Sequence, residues 1–121
     1  MSQSTNDTFP TAILVGCVLS VEDNLLPILS LLEKSLQKKS REFDKIIKVG
    51  RTHLQDATPI KLGQEFSGYA SMISNDIKRI KLAVKECAEL PIGGTAVGTG
   101  INTLEGFDTL VCSFITEETD I

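Results

Sequence analysis

The stretch LGQEFSGYASMISNDIKRIKLAVKECAELP, residues 62–91, decides the fold. Its apolar positions are Leu62, Phe66, Tyr69, Ile73, Ile77, Ile80, Val84 and Cys87, at steps of three and four. That is the period of one face of an α-helix, and no period-two alternation competes with it. Pro91 ends the pattern, because proline has no N–H with which to continue a helix. A helix of about 25 residues is roughly 38 Å long at 1.5 Å per residue.

Towards the N-terminus a second stripe has the same period: Leu14, Val18, Val21, Leu25, Ile28, Leu32 and Leu36. Asn6-Asp7 with Pro10 marks its start, with capping side chains, an acid in the first turn and a proline near the first helical position. Pro27 interrupts the stripe and is expected to remove a backbone hydrogen bond and kink the helix. Lys38, Lys39 and Arg41 suit the negative end of the helix dipole. Between the stripes lie a short apolar piece, Ile46–Val49, and residues 50–60, expected to form an ordered connection. Beyond Pro91 come a glycine-rich loop, residues 93–100, and a weaker helical pattern over 104–118. The fold class is therefore all-α, a long-helix bundle. Two and a half helices cannot cover stripes of this length, so further helices are expected from the same chain or from other subunits. The bundle is incomplete in this chain, and residues 1–121 hold no separate domains.

The chain has 121 residues, 41% hydrophobic and 23% charged, with a net charge of −4. That is the composition of a soluble globular domain, and the negative balance disfavours a nucleic-acid surface. Lys and Arg gather at 34–51 and 78–85, but acids are interspersed, as on a solvated helix face. Apolar runs are short, as at Ala12–Leu14 before Gly16, against the ~20 residues of a membrane span. No targeting segment is visible. Three cysteines, Cys17, Cys87 and Cys112, are too few and too scattered for a disulfide framework or a zinc site, and read as small buried hydrophobes. The chain opens in a polar cluster and ends inside a helical pattern, as expected of an internal fragment.

Two polar segments do not fit a generic core. Residues 50–56, Gly-Arg-Thr-His-Leu-Gln-Asp, hold the only histidine, His53. A histidine titrates near neutrality and can donate, accept or shuttle a proton, and the Thr52 hydroxyl beside it can hold a carboxylate oxygen. Against this stands the plain alternative of a surface or core histidine. Ser4, Thr5 and Asn6 offer two hydroxyls and an amide at a helix start, where backbone N–H groups also favour an anion. Ordinary N-capping needs only one of the three. The glycine loop lacks the Lys-Ser/Thr ending of a phosphate loop and follows a helix rather than a strand, so a close-packed connection is the better reading. No cluster of metal ligands is present in the sequence.

Four blocks, SQSTNDTFPTA, GRTHLQDATP, LGQEFSGY and GGTAVGTGINT, resemble consecutive segments of the class II fumarate hydratases of the fumarase/aspartase superfamily, in the family's order and over nearly the whole chain. The resemblance implies a long-helix tetramer whose active sites take residues from three chains. It implies reversible hydration of fumarate to (S)-malate, hence a lyase with a small dicarboxylate substrate, no cofactor, no metal, no nucleic acid and no membrane partner. Residues carry over by position: Ser4, Thr5 and Asn6 match the segment that binds a substrate carboxylate. Thr52 and His53 match the pair that contacts substrate and positions the active-site water. The family's catalytic base lies in a loop outside this chain, so the isolated fragment is expected to be inactive. Thr5 stands where most fumarases have serine and aspartases often have threonine. Two alternatives follow, an aspartate ammonia-lyase-like enzyme and a non-catalytic truncated subunit that associates with full-length relatives. The family works in the mitochondrial matrix and in cytoplasm.

Overall fold

The computed structural model describes residues 2–120. In chain order the elements are α1 (Thr5–Ser20), a π-helical turn (Val21–Leu25), α2 (Leu26–Glu42), β1 (Ile47–Thr52), β2 (Gln55–Lys61), α3 (Leu62–Cys87) and α4 (Phe107–Thr119). They divide into two compact units, Met1–Asn24 with Lys81–Ile121, and Leu25–Ile80.

The helical architecture agrees with the periodicity, with two corrections. The cap of α1 lies two residues earlier than Asn6. Ser4 is the N-cap, its hydroxyl oxygen accepting from the Asn6 N–H, and Asp7 completes a capping box. Pro10 then lies inside the helix rather than at its first position. The second correction concerns residues 50–60, where the expected ordered connection is a β-hairpin. β1 and β2 pair antiparallel, from Ile47 opposite Lys61 to Thr52 opposite Gln55.

The interruption expected at Pro27 takes the form of the π turn directly ahead of it, with Pro27 in the first turn of α2. A missing donor is tolerated there, because the first turn of a helix has no intrahelical partners for its N–H groups.

In the unit of residues 25–80, α3 buries Gly63, Ala70 and Ile77, seven residues apart on one face. Gly63 sits so close to the end of α2 that a Cβ there would collide with the Ser40 carbonyl oxygen. The Ser40 hydroxyl donates to the Gly63 carbonyl at 2.8 Å. Phe43, Phe66 and Tyr69 stack edge to face, with centroids 5.2 and 5.9 Å apart. Lys61–Asp44 at 3.1 Å ties the hairpin to the turn after α2, and Lys48–Glu65 at 2.6 Å ties it to α3.

In the unit of residues 1–24 and 81–121, Val18 and Ile92 are the buried apolar residues. Across both units many large apolar side chains are uncovered: Ile28, Leu31, Met72, Leu82, Leu110 and Phe114 are all more than half exposed. The cysteines share this outcome. Cys17 is exposed and Cys87 and Cys112 are only partly buried, because the faces that carry them lack a partner among the described residues. The helical run Thr5–Glu42 is long and apolar enough to cross a membrane by length and composition, with an 18-residue window of mean hydropathy 1.8. Counting uninterrupted runs had not shown this. A core helix of a bundle has the same composition.

Candidate active site

The start of α1 is built around one buried carboxylate. Asp7 is 1% exposed. Its Oδ1 accepts the Ser4 N–H at 2.9 Å and its Oδ2 accepts the Thr95 N–H at 2.8 Å. Those backbone donors, Ser4 first, outweigh its desolvation and hold the carboxyl below the ordinary value of 3.8. The neighbouring Asn6 amide donates to the Ala96 carbonyl at 2.8 Å. Two successive residues of α1 thus hold two successive residues of the glycine loop.

That loop is not relaxed. Thr95 has φ = 57°, a left-handed conformation that a β-branched residue rarely takes. Its side-chain oxygen is buried with no hydrogen-bond partner among the described residues. Ser4, Thr95, Ala96 and Asn102, with Ser2, Gln3 and Ile101, line a recess of about 320 Å³. The recess leaves open space beside Ser4. Because the Ser4 oxygen accepts from Asn6, its own proton remains available to donate.

Thr52 and His53 lie at the tip of the hairpin. The turn is His53-Leu54, and both residues have positive φ, 53° and 61°. Such two-residue turns normally use Asn-Gly or Gly-Gly, so His-Leu is a costly choice. The hairpin enforces it from below. Gly50 marks an irregular register, with Val49 opposite Pro59 but Arg51 opposite Asp56. A Cβ at Gly50 would stand 2.7 Å from the Thr58 carbonyl oxygen. Arg51 and Asp56 then pair across the strands at 3.2 Å. Thr52, His53 and Leu54 are all exposed, Leu54 at 98%. An exposed, conformationally costly tip that carries the only histidine is what a presented functional side chain requires.

Ser4, Thr5 and Asn6 therefore stand together at one helix start, and Thr52 and His53 stand together at one turn. The two groups belong to different compact units. Thr5 is exposed at the first position of α1. Sequence reasoning singled out these five and passed over Asp7, Thr95 and Asn102. The spacing Ser4-x-x-Asp7 was a capping-box signal in plain view. Nothing local signalled Thr95, 88 residues away in sequence from the carboxylate it meets. Among the described residues no group of three or more His, Cys, Asp or Glu side chains could hold a metal.

Residues 1–121 match the lyase family along their whole length. Fumarate hydratase class II of Rhizobium meliloti is 53% identical over 121 residues, which is all of this chain and 26% of that protein. The mitochondrial fumarate hydratase of Saccharomyces cerevisiae is 51% identical over 120 residues, 99% of this chain and 25% of that protein. The crystal structure of a class II fumarase from Schistosoma mansoni superimposes with a TM-score of 0.94 at 43% identity, covering 99% of this chain and 25% of that one. The chain spans about a quarter of the length of these relatives.

Proposed function

The chain belongs to the lyase family, and from that membership we propose that it supplies part of the active site of a fumarate hydratase. The reaction is reversible addition of water to fumarate, giving (S)-malate. The observation that carries this reading is the start of α1, where Ser4 lines a recess together with Gln3, Thr95, Ala96 and Asn102, with no cation in its lining.

In the malate-to-fumarate direction, removal of the C3 proton builds negative charge on the adjacent carboxylate. Fixed neutral donors favour that charge over the ground state, because they need no reorganisation as it forms. Ser4 and Thr5 contribute hydroxyls, and the helix start contributes its dipole. Asn6 spends its amide hydrogen on Ala96 and so aligns the segment, while its Oδ1 remains free to accept from substrate or water. His53, with the Thr52 hydroxyl beside it, binds and polarises the water that adds or leaves, a task suited to an imidazole that can donate or accept a proton. The proton on C3 needs a base from outside this chain.

Residues 1–121 are one part of the N-terminal and central helical region of a homotetrameric enzyme, and the exposed apolar faces support such burial against further helices. The isolated chain is inactive. The mitochondrial matrix and the cytoplasm are its proposed locations, in keeping with the mitochondrial relative above.

The test exchanges residues 1–121 into the Rhizobium relative and follows fumarate formation from malate in the ultraviolet. Turnover that His53→Asn reduces by ~10²-fold or more is expected. A correctly assembled exchange enzyme that cannot turn over malate, or one indifferent to His53→Asn, defeats the assignment. Thr5 favours one second reading, an aspartate ammonia-lyase. Faster turnover of aspartate than of malate by the same enzyme would establish it instead.

A further inference from the structure

Asp7 has more structure around it than a helix cap requires. A capping carboxylate needs one backbone N–H and stays exposed at the helix surface. Asp7 is almost fully buried, uses both oxygens, and takes its second N–H from Thr95, far away in sequence. No ion pair to Asp7 occurs among the described residues, so its charge rests on N–H donors, which have fixed directions. Asn6 adds a parallel bond to Ala96. The Thr95 backbone adopts an unfavourable φ to present its N–H there. The result is a clamp that fixes the Ser4–Asn6 segment against the glycine loop, beside the recess that Ser4 lines with Thr95, Ala96 and Asn102.

We propose that Asp7 is a positioning residue for substrate carboxylate binding, acting through the Ser4–Asn6 segment and the Thr95 loop. This rests on the fumarate hydratase reading of that segment. Asp7 does not touch substrate. It holds the donors at the spacing a carboxylate requires, where an error of a fraction of an ångström weakens binding and the charge stabilisation that follows.

Asp7→Asn in the exchange enzyme is the test. The amide is the same size but has one acceptor oxygen in place of two, so either Ser4 or Thr95 loses its partner. A KM for malate raised about tenfold, with the tetramer retained by sizing, is expected. A purely structural cap would lower the melting temperature and the active fraction but leave the KM of the folded enzyme within twofold, and that result overturns the proposal. If Asp7→Asn does not assemble, amide exchange in the unmutated exchange enzyme decides. Saturating fumarate and malate should then slow the Thr95 N–H more than the Ile77 N–H in the core of α3, since binding and clamp stabilise one another. Equal slowing of both overturns the proposal. Lack of malate turnover in the unmutated enzyme is a separate outcome: it defeats the functional reading, and with it the role given to Asp7.

Discussion

The start of α1 and the tip of the hairpin treat their polar side chains in opposite ways. At the helix start the critical group, Asp7, is buried, bonded through both oxygens and anchored to a distant loop. At the tip, Thr52, His53 and Leu54 are exposed, and the nearest ion pair is the solvated Arg51–Asp56 contact. Both regions hold residues at positive φ, Thr95 in one and His53 and Leu54 in the other. In the first the conformation presents a backbone N–H to a carboxylate, and in the second it presents a titratable ring to its surroundings. A carboxylate site depends on fixed donors, and the clamp around Asp7 fixes the segment proposed to supply them. Proton and water chemistry depends on what surrounds the imidazole, and this chain delivers the ring on a projecting turn.

The contrast has measurable consequences. The largest effect should come from Thr52→Ala combined with His53→Asn in the exchange enzyme, with kcat reduced by roughly 10²–10⁴-fold and little change in melting temperature, because an exposed tip carries chemistry and little stability. A large loss of stability with unchanged kcat would reverse the roles assigned to the two regions. Asp7→Ala should add a loss of stability to its effect on binding, lowering the melting temperature by several degrees, since the Ser4 and Thr95 N–H groups are stranded together. An unchanged melt would show that both donors find other partners.

Acid should distinguish the regions as well. The Asp7 carboxyl titrates below 3.8 in the folded protein because the Ser4 and Thr95 N–H groups favour its charged form. A carboxylate depressed in this way contributes its stability fully above the unfolded value and loses it as pH falls through the folded value. Denaturant melts at pH 5 and below pH 3.8 should therefore show a steeper acid loss in the native sequence than in Asp7→Asn. Equal slopes would mean that the clamp is not charge-assisted. The smallest effect is expected at the turn. Leu54→Gly relieves a left-handed leucine worth about 1 kcal/mol, partly offset by the greater freedom of glycine in the unfolded chain. Stability should rise by less than ~1 kcal/mol, and a fall would show that the Leu54 side chain is buried in the assembled enzyme.

How much of this was legible beforehand depended on the range of the interactions. The stripe from Leu62 to Cys87 announced α3 because helical periodicity is local and repeated many times. The hairpin was passed over because its turn has neither Asn nor Gly, Pro59 lies in its second strand, and Gly50 breaks the register. Each of these is a sound argument against a strand, and tertiary context overrode all three. Asn6 was taken as a cap on propensity alone. The structure gives the cap to Ser4 and turns Asn6 outward to Ala96, a contact that spans 90 residues. The cysteines were placed inside because their stripe is apolar, yet an apolar stripe is buried only where another helix covers it. The five candidate site residues came from resemblance more than from pattern. Their chemistry alone was equally consistent with capping and with a surface histidine.

The most direct measurement is a crystal structure of the exchange enzyme with an unreactive dicarboxylate analogue of malate bound. One carboxylate accepting from the Ser4 and Thr5 hydroxyls is the predicted result. A ligand bound elsewhere, with the recess beside Ser4 and Thr95 empty, would contradict the central claim that this chain carries the carboxylate-binding part of a fumarate hydratase site.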